Sequence, residues 1–435
     1  MAARQTRYYK IITAACRRKV GEAAMKDHAD ILVIGGGASG MAAAITAAEA
    51  GSQVILLEGK DRVGKKLLST GNGRCNFSND IMAADCYYDA DPLFVETVLG
   101  KNCVVELLEW LKNMGIDSKL IDGRYYPRSE QASAILDALR IRMHGAGVQV
   151  MTGEKVIYLR KIHDQFEAQT NQIIYSAGKV ILATGSKAAP QTGSDGTGYV
   201  LARQVGLAVK KPVPALTSLK LNESYCKSWA GVRCDGSITL LIDQKETAHD
   251  RGQLQLTSYG VSGIPAFQVS RFASRALENG KEVKAVLSFL PDKTIDETVD
   301  YLMDRKERIG EYRLSDYLLG LLPKNLAGVM IRLSGIDKQI KVCDLTQQQV
   351  NRFASLLTSL TVSVNGTGSF AQAQVCSGGV TLESLDPVTL ECKEMPGLYI
   401  AGELMDVDGM CGGYNLQWAF SSGMRAGYAA ASSSS

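Results

Sequence analysis

The chain has almost none of what a metal centre needs. Its 435 residues include only four histidines, at 28, 144, 163 and 249, none in HxH or HxxxH spacing. The ten cysteines are scattered, with no CxxC pair. Zinc and di-iron centres draw on clustered His, Cys and carboxylate ligands, so no metal site is expected. A secretory signal is missing too, because the one apolar run ahead of residue 24, residues 11–16, is shorter than the apolar stretch such signals carry. The cysteines therefore read as reduced thiols of a cytoplasmic protein.

Charge of one sign is also missing. Lys and Arg number 48 against 45 Asp and Glu, a net of +3. Residues 1–24 hold six of the basic residues (Arg4, Arg7, Lys10, Arg17, Arg18, Lys19) and one acid, Glu22, so the remaining 42 and 44 leave the body at a net −2. That balance gives no footprint for a nucleic-acid partner and argues against a tRNA-modifying enzyme. One uncharged run, residues 31–48, is long enough to span a bilayer. Gly35, Gly36, Gly37 and Gly40 within it read instead as a strand-to-helix turn, so no membrane partner is expected. Internal repeats are absent, and 46% hydrophobic with 21% charged residues excludes disorder, collagen and coiled coil as descriptions of the whole.

What is present is a globular chain with a prior of two to three domains. Residues 1–24 form a basic extension expected to precede the working start at Met25, a transit peptide or tag being the other readings. A strand over 30–34, a helix over 38–50 closed by Gly51 and a strand over 53–57 ending at Glu58 make a βαβ unit. Helical periodicity follows over 92–114 and 130–144. Short alternating runs at 148–152, 156–162 and 165–170 look like a three-stranded side sheet that feeds into an apolar strand at 180–183. From 211 to 364 the character changes to β-like runs (216–221, 237–242, 284–290) and helix-like stretches (296–308, 315–321, 346–357), read as an inserted domain. The chain returns with an apolar strand at 397–401 and a helix over 416–431, so the first domain comprises residues 25–210 and 365–431, with a tail at 432–435.

The chemistry is concentrated at the glycines. Gly35-Gly36-Gly37-Ala38-Ser39-Gly40 fits GxGxxG, with Gly35 for the turn, Gly37 for close approach to a pyrophosphate and Gly40 for packing of helix on strand. Glu58, ending the next strand, is placed to accept hydrogen bonds from an adenosine ribose. Two further strand-end signals, Ala183-Thr184-Gly185 and Ala401-Gly402-Glu403, go beyond what a nicotinamide dinucleotide alone requires and point to FAD. Glu403 is expected at the ribityl or phosphate end, and the helix start at Gly413, Tyr414, Asn415 and Leu416 is expected to aim N–H groups at the flavin. The segment 64–79 reads as a loop whose Lys65, Lys66 and Arg74 meet phosphates and whose Gly73-Arg74-Cys75-Asn76 turn nears the ring.

Three blocks, GKKLLSTGNGRCNFSN at 64–79, TSYGVSG at 257–263 and GELMDVDGMCGGYNLQW at 402–418, resemble those of the bacterial BaiN-type, or aminoacetone oxidase-like, family of FAD-dependent oxidoreductases, over about residues 28–430. The resemblance implies an α/β architecture: a two-dinucleotide-binding-type, Rossmann-like FAD domain carrying an inserted β-rich and helical domain. It implies a flavin held by Ala38, Glu58, Lys65, Lys66, Asn76, Val156, Glu403 and Asn415. Many relatives carry His in the middle block where this chain has Ser258, so a His acid does not carry over.

The activity implied by the resemblance is NAD(P)H-dependent reduction of 3-oxo bile-acid intermediates whose ketone is conjugated to ring double bonds, or else oxidation of small amines such as aminoacetone. The near-neutral body and the apolar, Tyr-containing insert favour a small apolar substrate of steroid size. Tyr259 and Arg124 are the candidate donors to a substrate carbonyl, and Cys411 is expected to be a buried, inert neighbour of the ring. A flavin disulfide reductase is excluded by the lack of a cysteine pair and of a second GxGxxG. A non-catalytic FAD-binding protein remains an open alternative.

Overall fold

The computed structural model describes residues 26–88 and 90–432. The basic extension and the last three residues of the expected tail lie outside the described residues, and Ser432 closes the final helix.

A parallel sheet forms the centre. Its strands run in the order Gln149–Thr152, Val54–Glu58, Lys26–Ile34 and Ile174–Leu182. The strand Ile174–Leu182 is shared between two partners on its far edge. Its first half pairs antiparallel with Gln165–Gln169, and its second half pairs parallel with Leu398–Ile400. Strands buried on both faces are apolar throughout, and Leu32, Val33, Leu56, Val180, Ile181 and Leu182 are all fully buried. Residues 149–152 join this sheet beside Val54–Glu58, not the side sheet expected for them. The antiparallel meander therefore comprises Tyr158–Ile162, Gln165–Gln169 and the start of Ile174–Leu182.

Two helices cross closely on one face of the sheet, Ala38–Glu49 and the final helix Tyr414–Ser432. Glycine makes the approach possible: a Cβ at Gly423 would lie 2.3 Å from the Ser39 carbonyl oxygen, and one at Gly427 would lie 2.4 Å from that of Ala43. The helical stretch expected over 92–114 is broken in two, Pro92–Leu99 and Cys103–Lys112. Gly100, at φ +77, ends the first by turning its N–H back to Glu96 O.

Residues 219–367 hold a closed barrel with its own core. Strand Leu219–Leu221 pairs with Gly260–Ser262 and with Leu360–Thr367, and Lys245–Thr257, Arg233–Ile242 and Val283–Ser288 complete the ring. Leu240, Leu254, Leu256, Val269, Leu287 and Phe353 fill it together with packed helices. Thr294 and Thr346 start two of those helices with capping boxes. Four stretches differ from the sequence reading. Lys245–Thr257 is a long strand whose outer face is polar. Ile264–Glu278 and Lys324–Ser334 are helices, and the stretch 315–321 holds only a short 3-10 turn at Leu314–Asp316 and further turns.

Candidate active site

A cavity of about 640 Å³ opens along the carboxyl ends of the parallel strands, where open α/β sheets hold ligands. One end is built from backbone. Gly35, at φ +110, donates to Leu57 O, and a Cβ there would lie 2.5 Å from Ala183 O. Gly37 precedes the helix Ala38–Glu49 with no side chain capping its first N–H groups, and the space where its Cβ would stand is open. An uncapped helix start facing a cavity is an anion site when the ligand is a phosphate. Gly40 packs the helix against the strand ends, the part its place in the motif implies. It does not line the cavity, but a Cβ there would collide with Gly35 O at 1.8 Å.

Glu58 is held by two main-chain donors, Gly36 N–H to Oε2 at 2.9 Å and Lys60 N–H to Oε1 at 2.7 Å. Each carboxylate oxygen keeps a further lone pair for a ligand hydroxyl. Val156, Ser39, Ala38, Thr184 and Gly185 also line the cavity. The Thr184 hydroxyl is buried against Gly198, where a Cβ would lie 1.7 Å from it. The uncapped helix and the anchored carboxylate fit a dinucleotide whose ribose would meet Glu58 and whose pyrophosphate would meet the Gly37 turn.

Lys65, Lys66, Arg74 and Asn76 line the middle of the cavity, but three of the four are already engaged. Lys65 pairs with Asp61. Lys66 lies 2.7 Å from Glu403, whose other oxygen accepts from Ser186 Oγ at 2.7 Å and Cys376 N–H at 3.1 Å. Glu403 thus joins three segments of the wall, a role that the sequence reading did not give it. Arg74 stacks over the Tyr126 ring at 4.9 Å and pairs with Glu130 at 3.4 Å. Gly73 and Cys75 do not line the cavity. Cys75 is fully buried, and desolvation pushes its thiol up to about 12, so it stays protonated and packs as a small apolar group.

At the last helix, Gly413, Asn415 and Leu416 line the cavity, whereas Gly402 and Tyr414 do not. Gly402 is bound to the helix itself, donating to Ser422 Oγ and accepting from Trp418 Nε1. Asn415 braces its own loop, its Oδ1 accepting from Gly409 N–H and its Nδ2 donating to Gly409 O, both at 2.9 Å.

The far end of the cavity is walled by side chains from separate segments: Tyr126, Leu216, Ile264, Phe267, Val375 and Cys411. Arg124 stands among them, half-buried beside Gly412, and its guanidinium makes no ion pair or hydrogen bond among the described residues. Burial raises the Cys411 thiol, with the neighbouring Arg124 charge working against it. Tyr259, expected to be a donor here, is not a cavity residue. It sits 42% exposed in the turn before Gly260–Ser262, its carbonyl accepting from Leu221 N–H at 3.0 Å. A turn that closes the barrel takes its side chain out to solvent.

The sequence reading missed Ile264, Phe267 and Gln268, because the helix carrying them was not recognised. Its signal was present: Gly263 and then Pro265 at the first turn, a common helix opening.

Comparison with known proteins gives a consistent result. A profile described as HI0933-like protein Rossmann domain matches residues 29–429. A 3-dehydro-bile acid delta(4,6)-reductase of Clostridium scindens is 39% identical over 401 residues, covering 92% of this chain and 98% of its own. A ribosomal RNA dihydrouridine synthase of Escherichia coli is 29% identical over 399 residues, covering 90% of this chain and 96% of its own.

Proposed function

Since the chain belongs to the HI0933-like Rossmann-domain family and is an FAD-dependent oxidoreductase, we propose that it reduces a C=C bond conjugated to a ketone, with a 3-oxo steroid of the bile-acid type as substrate and NAD(P)H as electron source. The observation that carries this reading is Arg124, a cation with no ion pair among the described residues, set beside Leu216, Ile264, Phe267 and Val375 at the far end of the cavity. Reduction of an enone puts negative charge on the ketone oxygen as the β-carbon is attacked. A guanidinium within reach of that oxygen is worth more in an apolar, water-poor wall than in water. When bound, FAD supplies the two-electron chemistry. Glu58, Gly37 and the helix start hold its adenosine and pyrophosphate, while Leu216, Ile264 and Phe267 exclude water and present a flat apolar face to the substrate rings.

The two relatives described above are named for different substrates, yet both names denote addition of hydrogen across a C=C bond next to a carbonyl. A net charge of −2 on the body favours the small substrate over ribosomal RNA, whose binding draws on clustered Lys and Arg. The 39% identity to the bile-acid reductase points the same way. The test is anaerobic. The purified protein is reduced with NADH or NADPH and mixed with a 3-oxo-4,6-diene steroid, and flavin absorbance is followed. Reoxidation with a product two hydrogens heavier supports the reading. Reoxidation only by a uridine-containing ribosomal RNA fragment, or flavin reduction by small amines with peroxide release once air is admitted and no steroid turnover, overturns it.

A further inference from the structure

The helix Ile264–Glu278 presents one face to two neighbours. Positions 264, 267, 268 and 271 fall together on a helix because they are spaced by three, four and seven residues. Ile264 and Phe267 line the apolar end of the cavity. Gln268 and Arg271 instead hold the loop 408–413, which belongs to the flavin-binding domain and brings Cys411, Gly412 and Gly413 to the cavity. Gln268 Oε1 accepts from Cys411 N–H at 2.8 Å. Arg271 forks onto Asp408, Nε to Oδ2 at 2.7 Å and Nη2 to Oδ1 at 2.9 Å, and Nη2 also reaches Ser377 Oγ at 3.1 Å. Its guanidinium lies 4.6 Å from the centroid of the Tyr88 ring, and Arg271 and Asp408 are only 3% and 1% exposed.

The same loop is tied from the flavin-domain side by the pairing of Asp408–Gly409 with Tyr87–Tyr88, by Met410 N–H to Cys86 O at 2.9 Å, by Asn79, whose Nδ2 donates to Gly412 O at 2.9 Å, and by Asn415 at Gly409. Those ties fix the loop within its own domain, and Gln268 and Arg271 tie it to the barrel helix. A buried, bidentate Arg–carboxylate pair adds little net stability compared with apolar residues of similar volume, but its geometry admits one arrangement.

We propose that Gln268 and Arg271 are positioning residues. They lock loop 408–413 to the inserted domain, so that the wall made by Ile264 and Phe267 and the wall made by Cys411 and Gly412 keep one spacing around the substrate. The proposal rests on the reading that this end of the cavity receives the conjugated substrate. Neither residue touches the reacting atoms. Loosening the lock widens the slot without disturbing the turn at Gly35–Gly40 or the carboxylate of Glu58.

The experiment uses the FAD-loaded protein and three variants: Gln268→Leu, Gln268→Glu, which keeps an acceptor oxygen, and Arg271→Lys, which keeps the charge but cannot fork. Hydrogen exchange is read in peptides covering 408–413, and the two half-reactions are timed separately. Gln268→Leu is expected to speed exchange in that loop by about tenfold while the melting temperature stays within about 3 °C of the parent. Flavin reduction by NAD(P)H should stay within about twofold, and reoxidation by the dienone steroid should slow by about tenfold. Gln268→Glu should restore both the loop protection and the second half-reaction, and Arg271→Lys should fall between. Unchanged loop exchange in Gln268→Leu overturns the proposal. So does faster exchange spread over the whole chain with a matching fall in melting temperature, or equal loss of both half-reactions. If the parent protein does not turn over the steroid, the reading of the site fails, while the loop exchange still decides whether Gln268 and Arg271 hold the loop.

Discussion

At the glycine turn the cavity is made by main chain: Gly35 and Gly37 leave room, and Glu58 is pinned by the N–H groups of Gly36 and Lys60. At the other end it is made by side chains, with Arg124 from a short strand, Leu216 from a connector, Ile264 and Phe267 from a helix of the barrel, and Cys411 from a late loop. The first end needs a stretch of about thirty residues to be complete. The second needs four segments brought together by the fold. An end built from backbone tolerates little change and holds what is common to the chemistry, whereas an end built from distant side chains is where substrate choice resides.

Arg124→Gln should have the largest effect, because it removes a charge that no other residue supplies. Turnover of the enone should fall by about a hundredfold, as for other oxyanion donors, with flavin reduction by NAD(P)H nearly unchanged, measured as separate half-reactions. Equal damage to both would mean that the two ends are not independent. Glu58→Ala should do the reverse. Each ribose hydrogen bond to the carboxylate is worth about 1.5–3 kcal/mol, so FAD affinity should weaken at least ~10-fold by fluorescence titration, with a normal enone rate once the site is saturated.

Between the ends, Cys75 gives a pH signature. Its thiol is raised from about 9 to about 12 by burial, so the unfolded chain ionises first as pH rises. The stability tied to the neutral thiol is complete below pH 9 and is lost as pH climbs toward 12. A Cys75→Ala variant should therefore lose less stability than the parent across that window in urea melts. The smallest effect is expected of Tyr259→Phe, which should leave both half-reactions within about twofold, since its ring lies outside the cavity at an exposed turn.

The same division explains what could be read in the amino-acid order. Gly35, Gly37, Glu58, Thr184 and Gly185 stand at strand ends set by short-range rules, and the structure gathers all five around one cavity. Val156 was legible only by resemblance, whereas Glu403 and Asn415 were also marked by a strand end and a helix start. The structure brings them to the same cavity, but Glu403 and Asn415 also carry bracing roles that no local pattern announces. Tyr259 looked suitable because it lies in one of the three blocks that carry the resemblance and its hydroxyl is a good donor. Nothing in local sequence says that a barrel turn points it to solvent. The helix Ile264–Glu278 escaped notice because its buried face includes Gln268, Ser270, Arg271 and Ser274, which break an apolar stripe. Those polar residues are buried against partners 53 to 143 positions away, such as Asp408, and a sequence read locally has no means to pair them. The strand Lys245–Thr257 was hidden by the opposite circumstance, a solvent-facing side so polar that it reads as a loop.

The barrel leaves and rejoins the flavin-binding domain at a single doorway, where Val213–Ala215 runs antiparallel beside Val375–Ser377 and Leu219 pairs with Thr367. A ring of strands closed on itself leaves no open edge for a stray chain to add to. With both ends of the insertion side by side, the whole barrel is a cassette: recombination at that doorway exchanges one substrate wall for another without rethreading the parallel sheet or moving the residues that would hold the cofactor.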